Sequence, residues 1–258
     1  MATKVIIDTD TGIDDAMGCV LALQRPELEV LTFTSVFGNV DVGSTTRNTA
    51  ALLEAVGRTD VPLARGAARG FVGIPVFNPE IHGADGVGNA NFPEPRLRAI
   101  DRTAAQVIID LAYRYPGEVT FVALGPLTNL ALALMLDPRL PEVLRQVVWM
   151  GGAVYAPGNV TPVGEADARH DPEAAEMVLE QSGWEVTVVS LDVTDTTLFR
   201  AADWDRLSRC DTPAARYLQR DRAVLHGLLF AASGRARLRD AFRPDRWHRG
   251  APRPRASR

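Results

Sequence analysis

The run Val5-Ile6-Ile7-Asp8-Thr9-Asp10-Thr11-Gly12-Ile13-Asp14-Asp15 decides the fold, because a β-branched apolar stretch passes directly into a loop with four aspartates. Its apolar beginning, Val5–Asp8, predicts a buried strand. The amphipathic residues Asp14–Leu23 predict the helix that follows. A strand that leads through a short loop into a helix is typical of a βα unit. The chain therefore begins as an α/β protein does.

The aspartates of this loop predict a cation site. Four carboxylates within eight residues repel one another unless a positive charge lies among them, and an all-oxygen set suits a hard divalent cation such as calcium or magnesium. Alternation along the strand places Asp8 and Asp10 on one side, and the turn at Gly12 brings Asp14 and Asp15 back towards them. Capping of the helix N-terminus accounts for one or two of these residues, but not for all four.

Two other motifs compete for the same residues. An EF-hand loop counted from Asp8 needs an oxygen ligand at position 5 and a glutamate at position 12, where this chain has Gly12 and Cys19. A haloacid-dehalogenase-like phosphatase also begins with Asp-x-Asp-x-Thr after its first strand. Here Gly12 replaces the expected hydroxyl, and Lys4 is the sole lysine of the sequence. The EF-hand is excluded, and a metal-dependent phosphatase remains the weaker alternative.

Strands and helices alternate along the rest of the chain, which predicts a mostly parallel central sheet flanked by helices. Strands are predicted at Val5–Asp8, Glu29–Val36, Val119–Leu124, Gln146–Met150 and Val186–Leu191. Helices are predicted at Asp14–Leu23, Thr45–Val56, Ile100–Tyr113, Thr128–Leu136 and Pro172–Gln181. The segments Ala67–Leu97 and Gly152–Arg169 are rich in Gly, Pro and Asn and predict long functional loops. In such folds the ligand crevice lies beyond the carboxyl ends of the strands.

Composition and charge restrict the possible partners. The net charge of −4 combines a balance of +7 in residues 235–258 with −11 in the remainder of the chain. An acidic body argues against a nucleic-acid-binding face and suits a site built from carboxylates. We therefore expect a small-molecule partner and no nucleic acid.

The sequence also indicates a cellular setting. Met1 is followed almost at once by the strand at Val5, which leaves no room for a signal peptide, and no apolar run is long enough to span a bilayer. The two cysteines, Cys19 and Cys210, provide no disulfide framework, and Cys19 is expected to be a small buried hydrophobe. We expect a cytoplasmic protein with no membrane partner.

Several separate motifs, in order, resemble those of the inosine–uridine preferring nucleoside hydrolases. They are Ile7–Ala16, Phe37–Val40, His82–Gly88, Leu124–Asn129, Met150–Gly152, Gly158–Pro162 and Glu165–Ala175. The resemblance covers about residues 4–200. It implies a nucleoside-hydrolase-like α/β fold and a homodimer or homotetramer. It also implies hydrolysis of the N-glycosidic bond of ribonucleosides, with a calcium ion that holds the attacking water and the ribose diol.

The resemblance assigns roles to the residues around the cation. Asp10 and Asp15 are the implied side-chain ligands of calcium, and the main-chain carbonyl of Leu124 is a further ligand. Asp10 is also the implied base towards the water, which is chemically reasonable beside a divalent ion. Asn39 is implied to orient the water or the sugar.

Other residues are implied to hold the substrate. Asp14 accepts a hydrogen bond from the ribose 2′-hydroxyl, while Asn159 and Glu165 hold the 5′-hydroxyl. His82 lies in a flexible loop near the base. Asp8 orders the aspartate loop from behind the site.

The chain departs from the family pattern in two places. Asp167 stands where the family usually has an asparagine that contacts the ribose 3′-hydroxyl, and an aspartate accepts hydrogen bonds but does not donate them when ionised. No His-Asp pair follows Asp171, although the family has one in its C-terminal part; the nearest substitute is Arg239-Asp240. A catalytically weak nucleoside- or ribose-binding relic of the family is therefore the alternative to an active hydrolase.

The same departure defines the expected domain boundaries. Residues 1–233 are predicted to form one nucleoside-hydrolase-like domain that is incomplete at its C-terminal end. Residues 234–258 are rich in Arg and Pro, with few apolar residues. Such a composition predicts a poorly ordered tail.

Overall fold

A sheet of seven parallel strands organises residues 2–77 and 79–220, the part of the chain that this computed structural model describes. In chain order the strands are β1 Thr3–Thr9, β2 Leu28–Ser35, β3 Leu63–Arg65, β4 Ile100–Thr103, β5 Val119–Ala123, β6 Gln146–Met150 and β7 Val186–Val189. Across the sheet the order is β4-β3-β2-β1-β5-β6-β7. The chain thus winds outward from β1 in one direction and then in the other, so a switch point lies between β1 and β5. In parallel sheets such a point marks the ligand crevice.

Helices follow most of the strands. They are α1 Ile13–Gln24, α2 Val42–Ala55, α3 Pro79–His82, α4 Ala104–Arg114, α5 Thr128–Leu136, α6 Leu140–Val143, α7 Ala166–His170, α8 Pro172–Glu176, α9 Leu191–Thr194, α10 Ala201–Leu207 and α11 Pro213–Arg220. The sequence determines several of the helix starts through capping side chains. Asp41 accepts hydrogen bonds from the first amides of α2, and Thr103 and Gln106 form a capping box at α4.

The core lies on both faces of the sheet, as parallel strands require. On one face, Ile6 of β1 packs in a cluster with Phe121 and Leu130, which α4, α5 and α8 help to form. On the other face, Val5 and Ile7 belong to a second cluster, formed with α1 and α2. Because β1 is covered on both sides, the residues that follow it are held at a fixed place in the molecule.

The predicted α/β fold with a mostly parallel sheet is confirmed, with corrections to individual elements. Ile100–Thr103 is strand β4, and only from Ala104 is the predicted helix present. All four residues of this edge strand are exposed, so they lack the apolar alternation that identifies a strand. The strand predicted at Val186–Leu191 ends at Val189, and Leu191 begins α9.

Three further differences concern short or irregular elements. Strand β3 has three residues, too few to produce a periodic pattern. The helix predicted at Pro172–Gln181 consists of α8 and a π-helical turn at Met177–Gln181. The long segment Ala67–Leu97 contains the short helix α3.

The boundary predicted at residue 233 and the tail at 234–258 lie outside the described residues. Among the described helices, none is both long and apolar enough to cross a membrane.

Substitution of Leu130 by alanine tests the packing of the first cluster. Leu130 is fully buried, so we expect Leu130→Ala to lower the free energy of unfolding by about 2–5 kcal/mol. The matched control is Met135→Ala on the same helix, where the side chain is 59% exposed, and its expected effect is within about 0.5 kcal/mol. Urea denaturation at a fixed concentration of divalent cation measures both. Equal losses in the two variants would contradict the described core.

Candidate active site

A cavity of about 220 Å³ lies at the carboxyl end of the sheet. Its lining residues are Asp14, Asp15, Gly18, Asn39, Ile81, His82, Leu124, Met150, Asn159, Glu165, Ala166, Asp167 and His170. All the predicted site residues except Asp10 are among them, and Asp10 is buried beside Asn39. A second cavity, of about 230 Å³, lies against β1, β5 and α1, but no titratable side chain lines it. The first cavity is therefore the candidate active site, because acidic and histidine side chains line it.

The aspartate loop is held in shape by its own hydrogen bonds. The amide of Gly12 donates to Asp15 Oδ2 over 2.7 Å, which closes the start of α1. The amide of Thr11 donates to Thr9 Oγ1 over 3.0 Å, and the Thr11 hydroxyl lies 2.7 Å from the Thr49 hydroxyl of α2. Because these groups are buried, the loop has little freedom to move the carboxylates apart.

Asp10 lies beneath the cavity with only one of its oxygens satisfied. Its Oδ2 accepts a hydrogen bond from the Asn39 amide over 2.7 Å, whereas its Oδ1 is buried with no hydrogen-bond partner. Two glycines make room for this carboxylate. A Cβ at Gly38 would overlap Oδ2, and one at Gly125 would lie 3.0 Å from Oδ1. An unpartnered oxygen in this position is costly unless another group binds to it.

The carboxylates of the site raise one another's proton affinity. Burial, followed by the charges of Asp167 and Asp14, raises the pKa of Asp10 well above its usual range. Burial and the charges of Asp10 and Asp14 do the same to the pKa of Asp15. For Asp167 the causes of the raised pKa are burial and then Glu165, Asp15 and Asp14. Without a cation, the negative charge on each of these groups is therefore unfavourable.

The donors present fit a hard divalent cation. Asp10 offers a carboxylate oxygen without a hydrogen-bond partner, and its charge acts directly on Asp15. Leu124 follows the end of β5 and lines the same cavity. Oxygen donors of this kind suit calcium. Among the described residues, no three His, Cys, Asp or Glu side chains form a metal-binding group. The expected calcium ligands are the side chains of Asp10 and Asp15 and the main-chain carbonyl of Leu124. They include two side chains of these types, one fewer than such a group requires.

Asp8 lies behind the site and connects it to the sheet. Its Oδ1 accepts hydrogen bonds from the Thr34 hydroxyl and from Asn129 Nδ2, the latter over 2.7 Å. Burial raises the pKa of Asp8 to about 7, although both hydrogen bonds oppose the shift. Asn129 also donates to the Ser35 carbonyl over 3.0 Å and accepts from the Ala67 amide over 2.8 Å. Asn129 is thus a structural residue that sequence reasoning identified only as part of a motif.

A tryptophan supports the opposite side of the aspartates. Trp149 of β6 is buried, and its Nε1 donates to the Gly125 carbonyl over 3.2 Å. A Cβ at Gly151 would overlap the Trp149 ring. Gly151 therefore permits close packing of the indole, whose hydrogen bond to Gly125 places it beside the carboxylate cluster.

Glu165 and its neighbours form the far wall of the cavity. Glu165 caps α7 and accepts hydrogen bonds from the amides of Gly152, Asp167 and Ala168 over 2.8, 3.0 and 3.1 Å. Burial nevertheless raises the pKa of Glu165. Asn159 adds an Oδ1 that is buried without a protein hydrogen-bond partner. This wall therefore offers polar atoms that a hydroxylated ligand can satisfy.

Two histidines line the same cavity. His82, at the end of α3, has its Nδ1 3.4 Å from the Ile13 amide, and burial lowers its pKa. His170, at the end of α7, was missed by the sequence analysis. Its ring packs edge-on against Phe37 with centroids 5.9 Å apart, and burial lowers its pKa as well. The sequence contained the residue within a recognised motif but gave no sign that its side chain faces the cavity.

Comparison with known proteins gives consistent results. The family model "Inosine-uridine preferring nucleoside hydrolase" matches residues 5–240. A probable uridine nucleosidase 2 of Arabidopsis thaliana is 44% identical over 220 residues, which is 83% of this chain and 67% of that protein. The inosine-uridine preferring nucleoside hydrolase of Crithidia fasciculata is 39% identical over 220 residues, 84% of this chain and 69% of its own.

A solved structure agrees with these matches. A plant nucleoside hydrolase superimposes with a TM-score of 0.85 at 37% identity, covering 91% of this chain and 74% of its own. The chain spans only 62 to 67% of the length of four plant relatives. About a third of each relative therefore has no counterpart in the matched region.

The raised pKa values predict an unusual dependence of stability on pH. In a chelator, the folded state takes up protons on Asp8, Asp10 and Asp15 at pH values where the unfolded chain does not. These carboxylates should therefore raise the free energy of unfolding as pH falls from 8 to 6, through the Asp8 pKa of about 7, by up to about 1.4 kcal/mol per pH unit for each proton taken up. His82 and His170 oppose this contribution, because burial lowers their pKa and the unfolded chain takes up protons that the folded state does not. Thermal unfolding at both pH values measures it.

The control for this prediction is Asp8→Asn, which removes the group with a pKa of about 7 and should weaken the pH dependence. Added calcium should stabilise the protein more at pH 8 than at pH 6, since protons compete for the same oxygens. An equal change in stability between pH 8 and pH 6 in the wild type and in Asp8→Asn, both in chelator, would show that Asp8 does not titrate in this range.

Proposed function

The chain belongs to the inosine-uridine preferring nucleoside hydrolase family, and we propose that it hydrolyses the N-glycosidic bond of ribonucleosides to free base and ribose. The observation that carries the proposal is the buried Asp10 carboxylate, with one oxygen unpartnered, in a cluster of acidic side chains at the sheet's switch point. Relatives named as uridine nucleosidases and nucleoside hydrolases support it.

We propose calcium as the cofactor, held by Asp10, Asp15 and the main-chain carbonyl of Leu124. Bound there, calcium would supply a positive charge that offsets the carboxylates, would lower the pKa of a water molecule and would attract the ribose diol. The raised pKa values of Asp10 and Asp15 support a site built for a cation, because these side chains are otherwise in an unfavourable charge state.

Asp10 is the proposed base. Its Oδ2 is fixed by the Asn39 amide, so its Oδ1 is the oxygen that accepts a proton from water. Asn39 also donates through Nδ2 to Asp15 Oδ2 over 3.1 Å. Asn39 therefore holds both aspartates in one orientation, which supports its proposed role in positioning the water and the sugar.

The remaining acidic wall is proposed to bind ribose. Asp14 is exposed to the cavity and accepts a hydrogen bond from the 2′-hydroxyl, while Asp167 binds the 3′-hydroxyl. Asn159 and Glu165 hold the 5′-hydroxyl, and the unpartnered Asn159 Oδ1 supports this assignment. As the bond breaks, the ribose gains positive charge, which these fixed carboxylates stabilise.

His82 is proposed to act on the leaving base. Its Nδ1 faces the Ile13 amide and accepts from it, so the ring proton resides on Nε2. The lowered pKa keeps the ring neutral at physiological pH. A neutral Nε2–H donates a hydrogen bond to the departing base, a function for which this chain has no His-Asp pair after Asp171.

The second candidate function is binding of nucleosides or ribose with little turnover. The absence of a His-Asp pair between Asp171 and Arg258 favours it. None of the relatives named above supports a metal-dependent phosphatase. The homodimeric or homotetrameric state and a role in purine or pyrimidine salvage are also proposals, and they rest on the resemblance alone. The cytoplasmic location is a proposal that rests on the low cysteine content of the sequence.

Release of reducing sugar from uridine and inosine tests the proposed hydrolase. We expect turnover in calcium and none in chelator, and Asp10→Asn should lower kcat by about 10²–10⁴-fold because it removes the base. The matched control Asp101→Asn changes an exposed aspartate on β4 and should leave kcat unchanged. If the folded wild-type protein binds ribose by calorimetry but releases no sugar, the hydrolase proposal is wrong and the binding function is supported.

A further inference from the structure

Two contacts hold the His170 ring in the cavity. Its Nε2 lies 3.2 Å from the Val76 carbonyl, which can only accept, so Nε2 carries a proton. Phe37 packs against the ring. The other nitrogen, Nδ1, is buried and has no hydrogen-bond partner. It faces the Asp167 carboxylate, with 3.9 Å between Nδ1 and Oδ1.

This separation is too long for a direct hydrogen bond. The separation of 3.9 Å leaves room for a third polar atom that hydrogen-bonds to both groups. An oxygen can lie about 2.8 Å from Nδ1 and from Oδ1 at the same time. Both side chains line the cavity and are almost fully buried, with 8% and 11% of the side chains of His170 and Asp167 exposed. The bridging atom therefore belongs to whatever occupies the cavity.

We propose that His170 is a substrate-positioning residue, and that its Nδ1 and the Asp167 carboxylate together bind a single ribose hydroxyl. A hydroxyl donates one hydrogen bond and accepts others, whereas an ionised carboxylate only accepts. With one proton shared between them, Asp167 and His170 present one acceptor and one donor to that hydroxyl. The proposal rests on the proposed function, because it takes ribose as the ligand.

The charges around the pair support a single shared proton. Burial lowers the pKa of His170, and the charge of Arg169 lowers it further. Glu165, Asp15 and Asp14 act on Asp167 and raise its pKa. The His170 ring therefore disfavours protonation of both of its nitrogens. The acidic neighbours of Asp167 favour a proton on its carboxyl group.

Two conservative substitutions separate this role from a purely structural one. Asparagine places its amide near the position of Nδ1, so His170→Asn keeps a group that can both donate and accept beside Asp167 but loses the contact with Val76. Glutamine reaches the position of Nε2, so His170→Gln keeps the Val76 contact and loses the group beside Asp167. The proposal predicts that His170→Gln loses about 10–100-fold in kcat/KM for uridine, and that His170→Asn loses less than His170→Gln.

The second readout combines changes in the protein with a change in the substrate, in the manner of a double-mutant cycle. 3′-Deoxyuridine lacks the hydroxyl, so the wild type should lose about 10–100-fold in kcat/KM on this substrate, and His170→Gln should lose little more. Asp167→Asn supplies a donor and an acceptor from one side chain, so His170→Gln should cost little in that background. Additive losses, or better activity in His170→Gln than in His170→Asn, would overturn the proposal and assign His170 to packing.

Calorimetry with ribose and 3-deoxyribose repeats the comparison without turnover. Suppose that the wild type releases no sugar but binds ribose, and that the variants rank in affinity for ribose as they are predicted to rank in kcat/KM. The hydrolase proposal then fails and the role of His170 stands. If sugar is released and the variants do not follow the order, the role of His170 fails alone. A wild-type protein that neither hydrolyses uridine nor binds ribose contradicts both.

Discussion

A buried carboxylate with one unpartnered oxygen is the constraint on which the site depends. Asp10 is almost fully buried at the end of the central strand, and its neighbours Asp15 and Asp167 are buried within the reach of its charge. Such crowding is unfavourable in the folded chain alone, and it becomes favourable when a cation or a proton is bound. The surrounding structure is arranged to prevent the aspartates from relaxing away from one another.

That arrangement begins in the sheet. Strand β1 is covered on both faces, so the loop after it leaves from a rigid position. Asn129 then ties β1, through Asp8, to the end of β2 and to the segment after β3. The close approach of Gly38 and Gly125 leaves Asp10 no room to turn. Rigidity at the carboxyl ends of the strands thus converts a local run of aspartates into a site of fixed geometry.

The part of the site that is local in sequence was the easiest to predict. Asp10 and Asp15 lie in one short loop, and the repulsion between such residues is evident from spacing alone. Asn39, Glu165 and Asn159 come from distant elements, and only the family resemblance connected them to the loop.

The parts that sequence reasoning missed depend on contacts between distant segments. Strand β4 has exposed side chains and is recognisable only by its pairing with β3. His170 is fixed by the Val76 carbonyl, 94 residues earlier in the chain, and neither segment has a pattern that indicates this contact. The packing of Trp149 beneath Gly125 has a different consequence. The indole donates to the carbonyl of the glycine that borders Asp10, so the local electric field at the ring depends on the charge of the site. The sequence contains four tryptophans, and the part of the fluorescence that Trp149→Phe removes would report the ionic state of the site.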